Sequence, residues 1–355
     1  GRNGNTKNGC YARTNYDYLF STYRIMCYVI SIITNLSNVS ESNNWIKMGG
    51  SSMGKENVIY ISSHGVQLIS GSNDKEDMIK VDAFREYPLA EGAMINGVIT
   101  DDTPILEILK EMRSNGITTA RLLIDSGQIL TKNVDVPILK KKELLQITRD
   151  ELSDIEGSYE DLVYDYCVLR PKYEDGRKGG EILCCAIERK LLVSYIELFE
   201  NAEITLKGID ISVNALQKLT NELVDMADKT YVISVIDGNN VSSYLFENNH
   251  YTFSNRTRLF SDRGTYEFIM EMNSNISQLI QFSKSKRSQY TIETAYFCGL
   301  DDEEEQKVFK NIRENLDIEA KEFPNSKIIY ITDKSREKAF QLHDYVFTVG
   351  CLIRK

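Results

Sequence analysis

Histidine is scarce in this 355-residue chain, with three copies beside seven cysteines, and no two cysteines stand in Cys-x-x-Cys spacing. Such a set does not assemble a His/Cys zinc site, and an odd number of cysteines is a poor disulfide framework. Cys10, Cys27, Cys167, Cys184, Cys185, Cys298 and Cys351 therefore read as small hydrophobes of a reducing cytosol. A basic excess is missing too: 42 Lys and Arg stand against 52 Asp and Glu, a net charge of −10. Nothing basic is present at the scale that neutralises nucleic-acid phosphates or grips an anionic membrane surface. The apolar run Ile25–Ile33 has about half the length needed to span a bilayer, and no small-residue cleavage site follows it.

What remains is an ordinary globular composition, 42% hydrophobic and 26% charged, in a chain long enough for two lobes with sizeable cores. Residues 1–52 differ from the rest. They are rich in Asn, Ser and Tyr and hold the single tryptophan, Trp45. Gly49-Gly50-Ser51-Ser52 is what a purine-rich ribosome-binding site and its spacer would give on translation, and Met53 directly precedes the first clear strand. The expectation is that native translation starts at Met53 and that 1–52 form a non-native or disordered upstream extension.

From Met53 onward the pattern is mixed α/β. Val58–Ser62 and Gly65–Gly71 flank a small polar turn, and Met78–Phe84 alternates as a half-buried strand. Thr103 and Pro104 open a helix whose stripe is Ile105, Ile108, Leu109 and Met112, and Asn115-Gly116 stops it. Leu122–Ile124 then runs as a buried strand to the turn Asp125-Ser126-Gly127. A helix over 140–155, strands over 162–169 and 182–187, and a helix over 191–201 follow, with helices expected again over 211–226, to about Phe282, and over 338–352. The acidic run Asp301–Glu305 reads as a solvated helix start and Lys284–Arg287 as charge at a helix end.

The strand–turn–strand pattern occurs twice. Val58–Gly71 turns at Ser62-Ser63-His64-Gly65, and Tyr231–Phe246 turns at Asp237-Gly238-Asn239-Asn240. Two such hairpins resemble those that the halves of an actin-like ATPase place on either side of a nucleotide. Further stretches are similar to the PilM family of type IV pilus assembly proteins: Gly97-Val98-Ile99, Val136-Pro137 through Leu144, Leu183–Ile187 with Ser194-Tyr195, Gly208-Ile209-Asp210, Phe253–Arg256, Tyr296–Gly299 and Phe347–Arg354.

That resemblance implies an actin-like, ribonuclease H-like α/β fold of two lobes with an inserted FtsA/PilM-type subdomain. It divides the chain into 53–137 (with 205–228 and 335–355) as the first actin-like subdomain and 138–204 as the insertion. Residues 229–262 and 325–334 become the second actin-like core subdomain, and 263–324 a helical and strand subdomain of the second lobe. It also implies a cytoplasmic protein, peripheral to the inner face of the cell membrane through its partners. Those are the short tail of a PilN-like membrane protein and other pilus assembly proteins, with a homo-oligomer as a further option and no nucleic acid.

ATP with Mg²⁺ is the cofactor such a fold would take. Phosphates sit on backbone N–H groups of two tight turns, and strand-end carboxylates hold the metal. The positions that would bind it here are Ser62, Ser63, His64, Gly65, Asp237, Gly238, Asn239 and Gly299. Each part is degenerate. Tyr60-Ile61-Ser62 stands where an Asp-x-Gly is usual, Gln67 where a lysine is common, Asn239 in place of a glycine, and Cys298 and Leu300 beside Gly299. His64 reads as an exposed turn histidine, and no catalytic or metal-ligating residue is assigned. The expected function is a cytoplasmic adaptor or scaffold of a type IV pilus, or related secretion, assembly machine, with weak or lost ATPase activity. The alternative is an active actin-like ATPase or small-molecule kinase that hydrolyses ATP in the interlobe cleft. An FtsA-like filament protein is disfavoured because the last core helix is followed directly by Arg354-Lys355.

Overall fold

The computed structural model describes residues 54–73, 78–153, 155 and 161–354. The expected upstream extension, 1–52, lies outside them. In the first half, β1 (Glu56–Ile61), β2 (Gly65–Asn73) and β3 (Ile79–Pro88) form an antiparallel meander. A two-strand hairpin, β4 (Met94–Ile95) and β5 (Val98–Ile99), leads into α1 (Asp102–Ser114). β6 (Thr119–Ile124) then pairs parallel to β1.

Before the sheet resumes, the chain leaves it for β7 (Leu130–Val136), α2 (Lys141–Ser153), β8 (Leu162–Arg170) and β9 (Gly180–Glu188). It returns by α3 (Arg189–Asn201) to β10 (Thr205–Ile211), which is parallel to β6. α4 (Ser212–Glu222) carries it to the second half.

There β11 (Tyr231–Asp237), β12 (Asn240–Glu247) and β13 (His250–Arg258) repeat the meander. α5 (Tyr266–Ser285) leads to β14 (Thr294–Cys298), and α6 (Asp302–Leu316) to β15 (Glu319–Glu322), both strands parallel to β11 in turn. β16 (Ile329–Ile331) and α7 (Val346–Leu352) close the chain. The strand orders are β10-β6-β1-β2-β3-β16 and β13-β12-β11-β14-β15. Apart from β16 the two sheets share one topology, so the duplicated hairpins are the first elements of two like halves.

Period-2 alternation fixes how the halves meet. On β11, Tyr231 and Ile233 face the main core, while Val232 and Ile236 join Phe268, Met272, Ile276 and Val308 of α5 and α6 in a separate core. α4 and α7, buried along nearly their whole length, sit within the main core between the sheets. β9 divides likewise: Leu183, Cys185 and Ile187 face the main core, whereas Ile182, Cys184 and Ala186 meet Leu144 and Leu152 of α2. The five described cysteines are buried and free. No helix among the described residues is long and apolar enough to cross a membrane.

Several boundaries fall elsewhere than the sequence reading places them. β7, expected in the first subdomain, pairs with β9 along its length and so belongs to the inserted three-stranded sheet, β7-β9-β8. α3, expected in the insertion, buries Tyr195 and Phe199 in the main core. β16 adds to the edge of the first sheet beside β3, not to the second half, because Ile331 fills the core there. β14 and β15 continue the second sheet beyond β11. The long final helix reduces to two short 3-10 turns and the seven residues of α7.

Candidate functional site

The two like turns meet tip to tip. Ser62 closes the first: its N–H donates to the Gly65 carbonyl at 2.8 Å, and its Oγ accepts from the Gly65 N–H at 3.1 Å. This leaves Ser63 and His64 projecting toward the other half. Asp237, at the end of β11, opens the second turn, where Gly238 adopts φ +57°. The positive φ favours glycine, and a Cβ at Gly238 would lie 2.7 Å from Ser63 Oγ, so a side chain there would have to move the serine.

Asp237 is the centre of the junction. The Ser63 N–H donates to both of its carboxylate oxygens at 3.1 Å, and Ser63 Oγ–H to Oδ1 at 2.5 Å. His64 Nδ1 stands 3.1 Å from Oδ1, and His64 Nε2 lies 3.2 Å from Glu86 of β3. Hydrogen bonds to these two carboxylates raise the His64 pKa from 6.5 to about 10. Burial pushes the Asp237 carboxyl up, but the bonds from His64 and Ser63 outweigh it and hold the group below its ordinary range. His64 is thus more than an exposed turn residue: its side chain is 61% exposed, yet it bridges two carboxylates.

A second tie lies deeper. Arg256 of β13 donates to Asp125 at 2.9 Å across the lobes and to Ser242 Oγ at 3.1 Å. Asp125 also accepts from Ser212 Oγ–H at 2.8 Å, and Tyr244 O–H donates to Ser212 Oγ at 3.2 Å. Asp125 is 8% exposed, and despite burial its charge keeps the guanidinium of Arg256 firmly protonated. The sequence shows Asp125 as a turn residue and Arg256 as part of a stretch. Nothing in their spacing, 131 residues apart, pairs them.

Beside the clasp runs a cleft of about 500 Å³, counted with its open mouth, whose walls include Tyr60, Ser62, His64, Glu86, Asp237 and Gly299. Gly299 follows β14 with φ +90°, and a Cβ there would meet the Ile236 carbonyl at 2.3 Å. Ser62, His64, Asp237 and Gly299 therefore share one cleft, with Ser63, Gly65 and Gly238 completing the turns. Asn239 is the exception, exposed at the tip of its turn. Gln67 donates to the Asp344 carbonyl at 2.7 Å instead of lying free for a phosphate. Missed in the sequence were Glu86, His343 and Asp344, cleft-lining residues that no motif marks.

These residues do not fit a magnesium nucleotide as they are arranged. Tyr60 lines the cleft with a phenol, its pKa raised chiefly by burial. Asp125 and Asp237 are both engaged by cationic side chains. Among the lining residues there is no Lys or Arg, while Glu86, Asp237 and Asp344 are all carboxylates. Among the described residues no group of three or more His, Cys, Asp or Glu is placed to hold a metal ion.

The family model described as "Type IV pilus assembly protein PilM" matches residues 59–274. Among solved structures, the "PilM-PilN type IV pilus biogenesis complex" superposes with a TM-score of 0.70 at 14% identity, covering 84% of this chain and 98% of that one. A Bacteroides thetaiotaomicron protein of unknown function with an actin-like ATPase fold superposes with a TM-score of 0.50 at 9% identity, covering 86% of this chain and 97% of that one. At these identities the likeness is one of fold. No curated protein matches the sequence.

Proposed function

This chain belongs to the PilM family of type IV pilus assembly proteins, and from that premise we propose that it is a cytoplasmic adaptor. It holds the short cytoplasmic tail of a PilN-like inner-membrane protein, and the ATPase activity of its fold is weak or lost. The observation that carries this reading is the clasp of Asp237 by Ser63 and His64, which engages the donors and the carboxylate that phosphate chemistry would need. The cleft is then a joint between lobes, and function moves to surfaces.

The inserted subdomain supplies a suitable one. In its sheet, β7 and β8 each pair with β9 alone among the described residues, so each keeps an open edge. An extended tail can add there as a strand, with main-chain hydrogen bonds for affinity and side-chain pockets for specificity. A notch of about 280 Å³ at the end of this sheet, lined by Val136, Leu144, Val168 and Ile182, can seat one apolar side chain beside Ile138. Ile138 is 67% exposed.

Calorimetric titration of the full chain with a PilN-like tail peptide and, separately, with Mg-ATP tests the reading. Micromolar peptide binding is expected, changed by no more than about threefold (under 1 kcal/mol) in Asp237→Ala. No heat is expected from Mg-ATP at millimolar concentration. Steady ATP turnover, or a peptide affinity about a hundredfold weaker in the variant, would return the protein to the ATPase or kinase alternative.

A further inference from the structure

The contacts at Asp237 have the form of an occupied anion site. A main-chain N–H, a hydroxyl and an imidazolium converge on one carboxylate that comes from the opposite lobe. Tight turns bind phosphate with this donor set. We propose that the Ser62–Gly65 turn is an anion seat which the chain fills with its own Asp237, so that a phosphate-class anion enters only by displacing that carboxylate and parting the two turns.

Three observations support the seat as a built feature. The turn is braced internally, through Ser62 and Gly65, without help from Asp237, so its donors stay aimed when the carboxylate leaves. Glu86 holds the far nitrogen of His64 at 3.2 Å, which keeps the ring charged and oriented toward the seat. The two turns also touch so closely, with Gly238 against Ser63 Oγ, that a phosphate and Asp237 cannot share the space. A dianion brought beside Asp237 would in addition be repelled by it, and strongly so where water is excluded. Anion binding and closure of the turns are therefore mutually exclusive. The deeper ties, Arg256 with Asp125 and Tyr244 with Ser212, would remain once the seat is taken. This device is independent of the peptide partner.

The test is calorimetric titration of the full chain with pyrophosphate and with ATP, both without metal, in wild type, Asp237→Ala and Asp237→Asn. Far-UV circular dichroism checks folding, and Asp237→Asn, which keeps the side-chain volume, serves if the alanine variant does not fold. Both variants are expected to bind pyrophosphate at least about tenfold more tightly than wild type, since a competing charge has been removed. Adding His64→Gln should abolish the gain. A similar gain for ATP and pyrophosphate assigns the seat to the polyphosphate itself. Equal affinities in wild type and variants would overturn the proposal. So would a gain confined to ATP, or a wild-type affinity that the Asp237 variants lose.

Discussion

Titration of His64 tests the clasp directly, because an unattached turn histidine and a doubly bridged one differ by orders of magnitude in proton affinity. Both ring nitrogens face carboxylates, Asp237 at 3.1 Å and Glu86 at 3.2 Å, and together they raise the pKa to about 10. Converted directly, the rise from 6.5 would correspond to about 5 kcal/mol. With 61% of the side chain in solvent, screening lowers the expected net contribution to about 1 kcal/mol. A raised pKa in the folded state favours folding fully below pH about 6.5, and that contribution disappears as pH rises through about 10. Asp237, held below its usual range, contributes in the opposite sense: its share is present above pH about 4 and is lost on acidification. The clasp should thus be strongest between about pH 4 and 6.5. Carbon-edited NMR of selectively labelled imidazoles, assigned with His64→Gln, should find His64 still protonated at pH 8.5, while His250, lowered chiefly by burial, is neutral there. Denaturation of wild type against His64→Gln should show about 1 kcal/mol at pH 6 and nothing above pH about 10. A His64 midpoint near 6.5, or a stability difference that grows with pH, would refute the reasoning.

Arg256→Met should destabilise the fold by about 3 kcal/mol in urea, because it leaves the carboxylate of Asp125 buried without its cation. Adding Asp125→Asn should recover at least about 1 kcal/mol of that loss, and a single-variant cost under about 0.5 kcal/mol would show that the pair does not tie the lobes. Glu305 offers a second titration test. Burial and a hydrogen bond to Glu322 raise its pKa from 4.5 to about 7, so its contribution is lost as pH rises through about 7. Glu305→Gln should therefore stabilise the protein by about 0.5 kcal/mol at pH 8 and leave it unchanged at pH 5. The same gain at both pH values would remove charge repulsion as its cause.

The parts of the fold legible in the sequence are those with clear apolar runs between polar turns. β1 and β11 are mostly apolar, β2 and β12 set apolar residues among small or polar ones, and short polar turns bound them. β15 offers one buried residue in Glu319-Ala-Lys-Glu322, and β7 alternates weakly because only Val136 is fully buried. Their pairing comes from neighbouring strands rather than from their own pattern. The site was half legible for a different reason. Each turn announces itself locally, but its chemistry depends on what it meets, and Ser63 and Asp237 are 174 residues apart. Glu86 was invisible, since an exposed acid on β3 looks like any solvated side chain.

Tyr60 bears on the proposed competition at the cleft. Its ring stands edge-on to Phe347 with centroids 5.5 Å apart, so the side chain is fixed in the floor by packing with α7. A phenol with a raised pKa is a poor ligand for Mg²⁺, which prefers carboxylate and water oxygens. A polyphosphate would then approach Glu86, Asp237 and Asp344 without a counter-ion of its own. Each like-charge pair at about 4 Å costs roughly 4 kcal/mol at an effective dielectric constant of 20. Moving Asp237 out of the seat removes one such pair and frees Ser63 and His64 as donors in the same step. The carboxylate that looks in sequence like a nucleotide ligand therefore acts, by its position, as the competitor a nucleotide would have to displace.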